Sequence, residues 1–155
     1  MDTTRPSKVI RCEDYSFSGI PRREYKEGDG NFKAVCRYSL LGSGEGEEAL
    51  NFHTRYFEIE PEGYSSLEYH RHPHTVVIIR GQGTVVLADQ VYELNLHDVV
   101  YVAPGTIHQF LADRGEPLGF ICVVDRYRDR PVVPDEEEIR EQTGTGAAAG
   151  KIKKG

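Results

Sequence analysis

The chain has 155 residues, 38% of them hydrophobic and 28% charged, with a formal net charge of -6. That length suits one domain with a real core, and the absence of any apolar run near 18 residues excludes a membrane-spanning helix. The acidic balance speaks against nucleic acid or an anionic membrane as the main partner, since both require a basic face.

In chain order, the opening stretch MDTTRPSKVIRCEDYSF has no apolar segment of the signal-peptide kind. Residues 1–30 hold a short apolar piece, YSFSGI, and the turn-rich KEGDGN, and they read as an N-terminal arm laid against the domain. Residues 31–133 carry the domain itself, in period-two or β-branched runs: FKAVCRYSLL, LNFHTRYFEIE, SSLEYHRH, TVVIIRGQGTVVLA, VYELN, DVVYVA, IHQFLA and LGFICVVDR. Turns are expected at GSGEGEE, PEGY, RGQG, APGT and DRGEP. Short strands with almost no helix predict an all-β chain folded as a small antiparallel β-barrel or jelly roll, a closure that removes exposed sheet edges. In residues 134–155, PDEEEIREQ predicts a short acidic helix capped by Asp135, followed by a flexible basic tail, TGTGAAAGKIKKG.

Three cysteines, Cys12, Cys36 and Cys122, are odd in number and fit no disulfide or zinc-finger spacing. They predict a reducing, cytoplasmic setting, with Cys122 a buried thiol inside GFICVVD.

The chemistry concentrates in EYHRHPHTVV, where His70, His72 and His74 fall at every second position. In an extended segment that spacing turns all three imidazoles to one side, although Pro73 can also make the stretch a bend. The spacing alone suits a metal cage or a wet turn. By parity Glu68 joins His70 and His72 on the inner side, and His74 would point inward with Val76 and Ile78. A fourth imidazole follows in DVVYVAPGTIHQF, where the turn at Pro104 and Gly105 can return His108 to the same mouth.

These two stretches resemble the cupin superfamily. Gly63, His70, His72 and Gly81 match its first motif, and Asp98, Pro104, Gly105 and His108 match its second. The likeness spans residues 57–125 and implies the cupin barrel, with His70, His72 and His108 as metal ligands. Counting back from Gly81, His74 stands where the family has a glutamate ligand, and His97 and Ala103 replace a motif glycine and proline.

The resemblance therefore implies a neutral cage of His70, His72, His74 and His108 holding one divalent transition metal. An all-nitrogen set suits zinc, iron, nickel or copper, with manganese less well served. Glu68 is the candidate general base, or else a rim carboxylate paired with Arg71 or Arg80. His53 reads as a strand-face residue and His97 as a turn residue. Tyr56, Phe57, Tyr101, Phe110 and Phe120 read as barrel packing, and VDRYRDRP as a solvated charged exit from the last strand that can meet a second subunit.

The resemblance further implies an enzyme acting on a small organic molecule in the barrel, as an oxygenase, isomerase or lyase, and a homodimer. The alternative is a non-catalytic module that holds a metal or a small ligand. The fold does not choose between them.

Overall fold

The computed structural model describes residues 7–25 and 32–155; the KEGDGN stretch lies outside the described residues. Three two-residue strands come first, β1 (Cys12–Glu13), β2 (Ser16–Phe17) and β3 (Arg23–Glu24). The barrel follows as β4 (Lys33–Leu41), β5 (Phe52–Tyr64), β6 (His74–Arg80), β7 (Gly83–Leu87), β8 (Gln90–Leu94), β9 (Val99–Val102), β10 (His108–Ala112) and β11 (Leu118–Asp125). All pairings are antiparallel, in the spatial order β8-β7-β10-β5-β11-β6-β9, with β4 on β5 and β3 on β4.

The long strand β5 makes the curl. It runs beside β4 and β11 for most of its length, bends at Glu62 (φ 64°), and meets β10 at the Tyr64–Leu111 pair. Inside, alternate side chains such as Phe57, Ile59, Val76, Ile78, Val85, Val102, Phe110 and Phe120 form one apolar core. The rings of Phe57, Phe110 and Phe120 stack there, with centroids 4.9 and 5.6 Å apart along the series. Gly81 closes the β6–β7 turn at φ 68°, and a Cβ there would come within 2.2 Å of the Pro117 carbonyl oxygen, so only glycine fits.

The run TVVIIR is apolar on both faces because both are covered. Ile79 and Ile121 face outward against Tyr38, Leu40 and Tyr56, and the N-terminal residues Tyr15, Phe17 and Ile20 pack over them. Tyr56 is thus buried on the outer face, where its hydroxyl donates to Glu58.

Two sequence expectations differ from what is observed. SSLEYHRH forms no continuous strand and makes only isolated bridges, Glu68 to His108 and Tyr69 to Val132, because the chain must bend here to aim its histidines. The basic tail forms a second helix, α2 (Ala147–Lys151), after α1 (Glu136–Thr143). Ala148 is buried against Val86 and Leu111, and the backbone of Lys153 exchanges two hydrogen bonds with the buried Gln109 side chain. Composition suggested flexibility; a polar residue on the barrel wall anchors the segment instead.

Helix α1 starts at a capping box, in which Asp135 accepts from the Glu137 and Glu138 amides and Glu138 accepts from the Asp135 amide. Its Ile139 packs on Leu67 and Ile107, and Gln142 bonds the Ile107 amide and the Gly105 carbonyl. The helix therefore braces both histidine-bearing segments. Ile139→Ala is expected to cost about 2–4 kcal/mol and Asp135→Ala about 1 kcal/mol in urea unfolding. A near-zero effect of Ile139→Ala would show that α1 does not support the barrel.

Candidate metal centre

Local backbone bonds aim the histidines. The Gly105 amide donates to the His70 carbonyl (2.8 Å), and the His108 amide donates to the Glu68 carbonyl (2.9 Å), which ties the proline-glycine turn to the bent segment. Gly105 has φ 78°, the conformation this turn needs. His74 opens β6 opposite Val102 and Val124, and His108 opens β10 opposite Leu87. Two strand starts and one bend converge on a single mouth.

The ligand atoms of His70, His74 and His108 lie within 4.8 Å of one another, a group that could hold a metal ion. His72 lines the same cavity but stands outside that close group. Its ring stacks on His70 with centroids 3.7 Å apart and planes within 5°.

Each Nδ1 is engaged. Those of His70 and His108 lie 2.6 and 2.8 Å from the carbonyls of His72 and Thr106, so each carries the proton and donates. His72 Nδ1 donates to Asp129 (2.9 Å), which also accepts from the Arg71 and His72 amides. His74 Nδ1 contacts the Cys122 sulfur at 3.2 Å, and its Nε2 is buried without a partner. Donation from Nδ1 leaves Nε2 with its lone pair, the tautomer a metal requires.

Burial holds these rings neutral. It lowers His70 to about 4 and His74 to about 2, with His108 the next contributor to each. His108 is lowered chiefly by burial as well. Neutral imidazoles with an orphaned, buried Nε2 among them are a donor set that fits a divalent transition metal.

The cavity measures about 190 Å³ and has Phe57, Phe110 and Phe120 on one wall. Glu68, 7% exposed, lines it, and the Tyr25 hydroxyl donates to its Oε1 at 3.4 Å. The alternative pairings of this carboxylate are not made, since Arg80 bonds Glu58 and Arg71 sits 4.0 Å from Asp129.

His53 and His97 lie apart from the site. His53 accepts from Arg128, and His97 adopts a turn conformation at φ 73°. Tyr101 is exposed rather than packed.

Sequence reasoning missed Asp129, read as part of a solvated exit; it lies 57 residues from His72, and nothing in spacing links them. It also passed over Arg37 and Arg55, which line the cavity. Arg55 shares the inward parity of Phe57, and a charged residue on a core-facing parity was the available signal.

A profile of the cupin domain family matches residues 55–124. A relative from Rhodospirillum rubrum named 1-methylthio-D-xylulose 5-phosphate methylsulfurylase is 38% identical over 136 residues, covering 87% of this chain and 84% of its own. A cupin 2 conserved barrel domain protein from Rhodopseudomonas palustris superposes with a TM-score of 0.85 at 33% identity, over 94% of this chain and 99% of that one. A cupin 2 domain-containing protein from Halorhodospira halophila is 42% identical with a TM-score of 0.72, over 96% and 97% of the two chains.

The lowered histidines make stability depend on pH. Their folded values lie below the ordinary 6.5, so the unfolded chain binds more protons between about 4 and 6.5, and stability falls as pH falls through that window. For the metal-free protein, His70 alone is expected to cost about 2 kcal/mol between pH 7 and pH 5, read by urea unfolding. His70→Gln should flatten the profile; an unchanged slope in that variant would refute the assignment.

Proposed function

This chain belongs to the cupin superfamily, and we propose that it is a metal-dependent enzyme acting on a small organic molecule inside the barrel. The observation that carries this reading is the neutral histidine group with its buried, partnerless His74 Nε2, facing a cavity that also holds a carboxylate. His70, His74 and His108 are the closest ligands, and His72 completes the set through Nε2 because Asp129 occupies its Nδ1. When bound, a divalent zinc, iron, nickel or copper ion would supply Lewis acidity to a substrate oxygen.

The chain's own residues then position and move a proton. Glu68 is the acceptor, a carboxylate drawn out of water with the Tyr25 hydroxyl to orient it. The aromatic wall of Phe57, Phe110 and Phe120 excludes water from the reacting end. Cupins include oxygenases, isomerases and lyases. The name of the R. rubrum relative favours, for this chain, chemistry at the methylthio group of a methylthio-substituted sugar phosphate.

The free thiols of Cys36 and Cys122 accord with a reducing cytoplasm. A homodimer accords with β9, which among the described residues pairs only with β6 and exposes Val99 and Tyr101. Among the described residues no helix is long and apolar enough to cross a membrane.

The test is elemental analysis of the purified protein, followed by turnover of 1-methylthio-D-xylulose 5-phosphate before and after chelation. One metal per chain is expected, lost in His74→Ala and His108→Ala. Glu68→Gln should keep the metal while kcat falls by roughly 10²–10⁴-fold. Stoichiometric metal with no turnover of any sugar phosphate would favour a binding module instead, and the absence of metal would sink both.

A further inference from the structure

Across the cavity from no carboxylate partner of their own, three arginines converge: Arg37 from β4, Arg55 from β5, and Arg128 just past β11. Arg37 pairs with Phe57 and Arg55 with Ser39, register positions two apart and so on one face of the sheet, and the two guanidinium groups rise from the same inner wall. Arg55 lies 4.9 Å over the Phe57 ring, and its Nη2 reaches the Cys122 sulfur at 3.4 Å. Arg128 Nη1 donates to the neutral acceptors His53 Nδ1 (3.0 Å) and the Asp125 carbonyl (3.2 Å).

Among the described residues, none of the three comes within 4.0 Å of a carboxylate. Acidic side chains are not scarce, since 25 Asp and Glu stand against 19 Lys and Arg. Outside the cavity several arginines do find one: Arg80 pairs with Glu58 at 2.9 Å, Arg114 with Glu62 at 3.3 Å and Arg22 with Glu60 at 3.5 Å. Inside it, Arg37 Nε and Arg55 Nε are buried and have no hydrogen-bond partner.

Like charges held together this way repel one another. Arg37 and Arg128 are both lowered, first by burial and then by Arg55. Such an arrangement is stabilised by an anion that accepts from all three, and buried N–H groups without acceptors are where a ligand oxygen belongs.

We propose that Arg37, Arg55 and Arg128 form an anion subsite that receives the phosphate monoester of the substrate, while its reacting end lies at the histidines. A carboxylate, with two oxygens and one charge, is matched by a single guanidinium fork. Three forks around one point match the three oxygens and two charges of a phosphate monoester. The subsite rests on the reading of this cavity as a substrate site, but its binding chemistry is separate from the metal's.

The test is titration calorimetry on the purified protein at fixed ionic strength, with D-xylulose 5-phosphate, D-xylulose and inorganic phosphate as probes. The phosphorylated sugar is expected to bind at least tenfold more tightly than the free sugar, with inorganic phosphate competing. Arg37→Gln and Arg128→Gln should each weaken it by roughly tenfold or more while metal content stays unchanged, with Arg128→Lys intermediate. Equal binding of the two sugars overturns the subsite and needs no variant that must fold. So does retained affinity in folded Arg37→Gln and Arg128→Gln proteins. Phosphate preference without metal would uphold the subsite and overturn the metal reading, and stoichiometric metal without phosphate preference would do the reverse.

Discussion

Four imidazoles share the mouth of an apolar barrel, and keeping His70, His74 and His108 there uncharged is the constraint the surrounding structure answers. A protonated ring at this depth would lose its hydration and face its neighbours as like charges. Each ring instead has its Nδ1 engaged, by the carbonyls of His72 and Thr106, the Cys122 sulfur and the Asp129 carboxylate. Burial suppresses protonation, against the carbonyl hydrogen bonds, which favour the charged form, and those same hydrogen bonds fix which nitrogen faces the cavity. Neutrality from burial and aim from hydrogen bonds combine in one arrangement.

That arrangement needs a rigid frame, because the bend carrying His70 and His72 has no strand ladder of its own. Two bridges, the Asp129 clamp and the α1 helix substitute for one. Gln142 reaches the proline-glycine turn, and the Tyr69 hydroxyl donates to Glu138 at 2.7 Å, so a C-terminal helix fixes a site built far from it in sequence. Helix α1 is thus part of the scaffold that orients the histidines.

Much of this was legible from residues. The alternating apolar pattern and glycine-proline punctuation gave an antiparallel barrel, and the HxH and PGTxH spacings brought His70, His72, His74 and His108 to one mouth. What escaped was long-range and polar. Asp129 sits in a charged run whose composition says solvent, and only the folded chain brings it to His72. The tail looked mobile because glycine, alanine and lysine dominate it, yet one buried side chain, Gln109, bonds both the amide and the carbonyl of Lys153. Local composition reports the entropy a segment must lose and is silent on distant groups that offset the loss.

Replacing the family's glutamate ligand with His74 also has an electrostatic consequence across the cavity. A carboxylate there would offset part of a bound divalent charge and stand near Arg55, which reaches the same Cys122 sulfur that His74 contacts, as a ready partner. His74 is neutral, and the adjacent Cys122 thiol is pushed up by burial and stays protonated, so neither adds negative charge. Among the described residues Glu68 is then the one acidic side chain on a wall that carries three arginines. The balance is positive, although the protein as a whole is acidic. A cavity of that sign, inside a chain of the opposite sign, suits the anionic ligand proposed for it, at short range where the apolar walls keep the field from being screened. On this argument the histidine at position 74 and the three arginines are two parts of one specificity, and restoring a carboxylate at 74 would weaken the hold on an anion as well as alter the metal site.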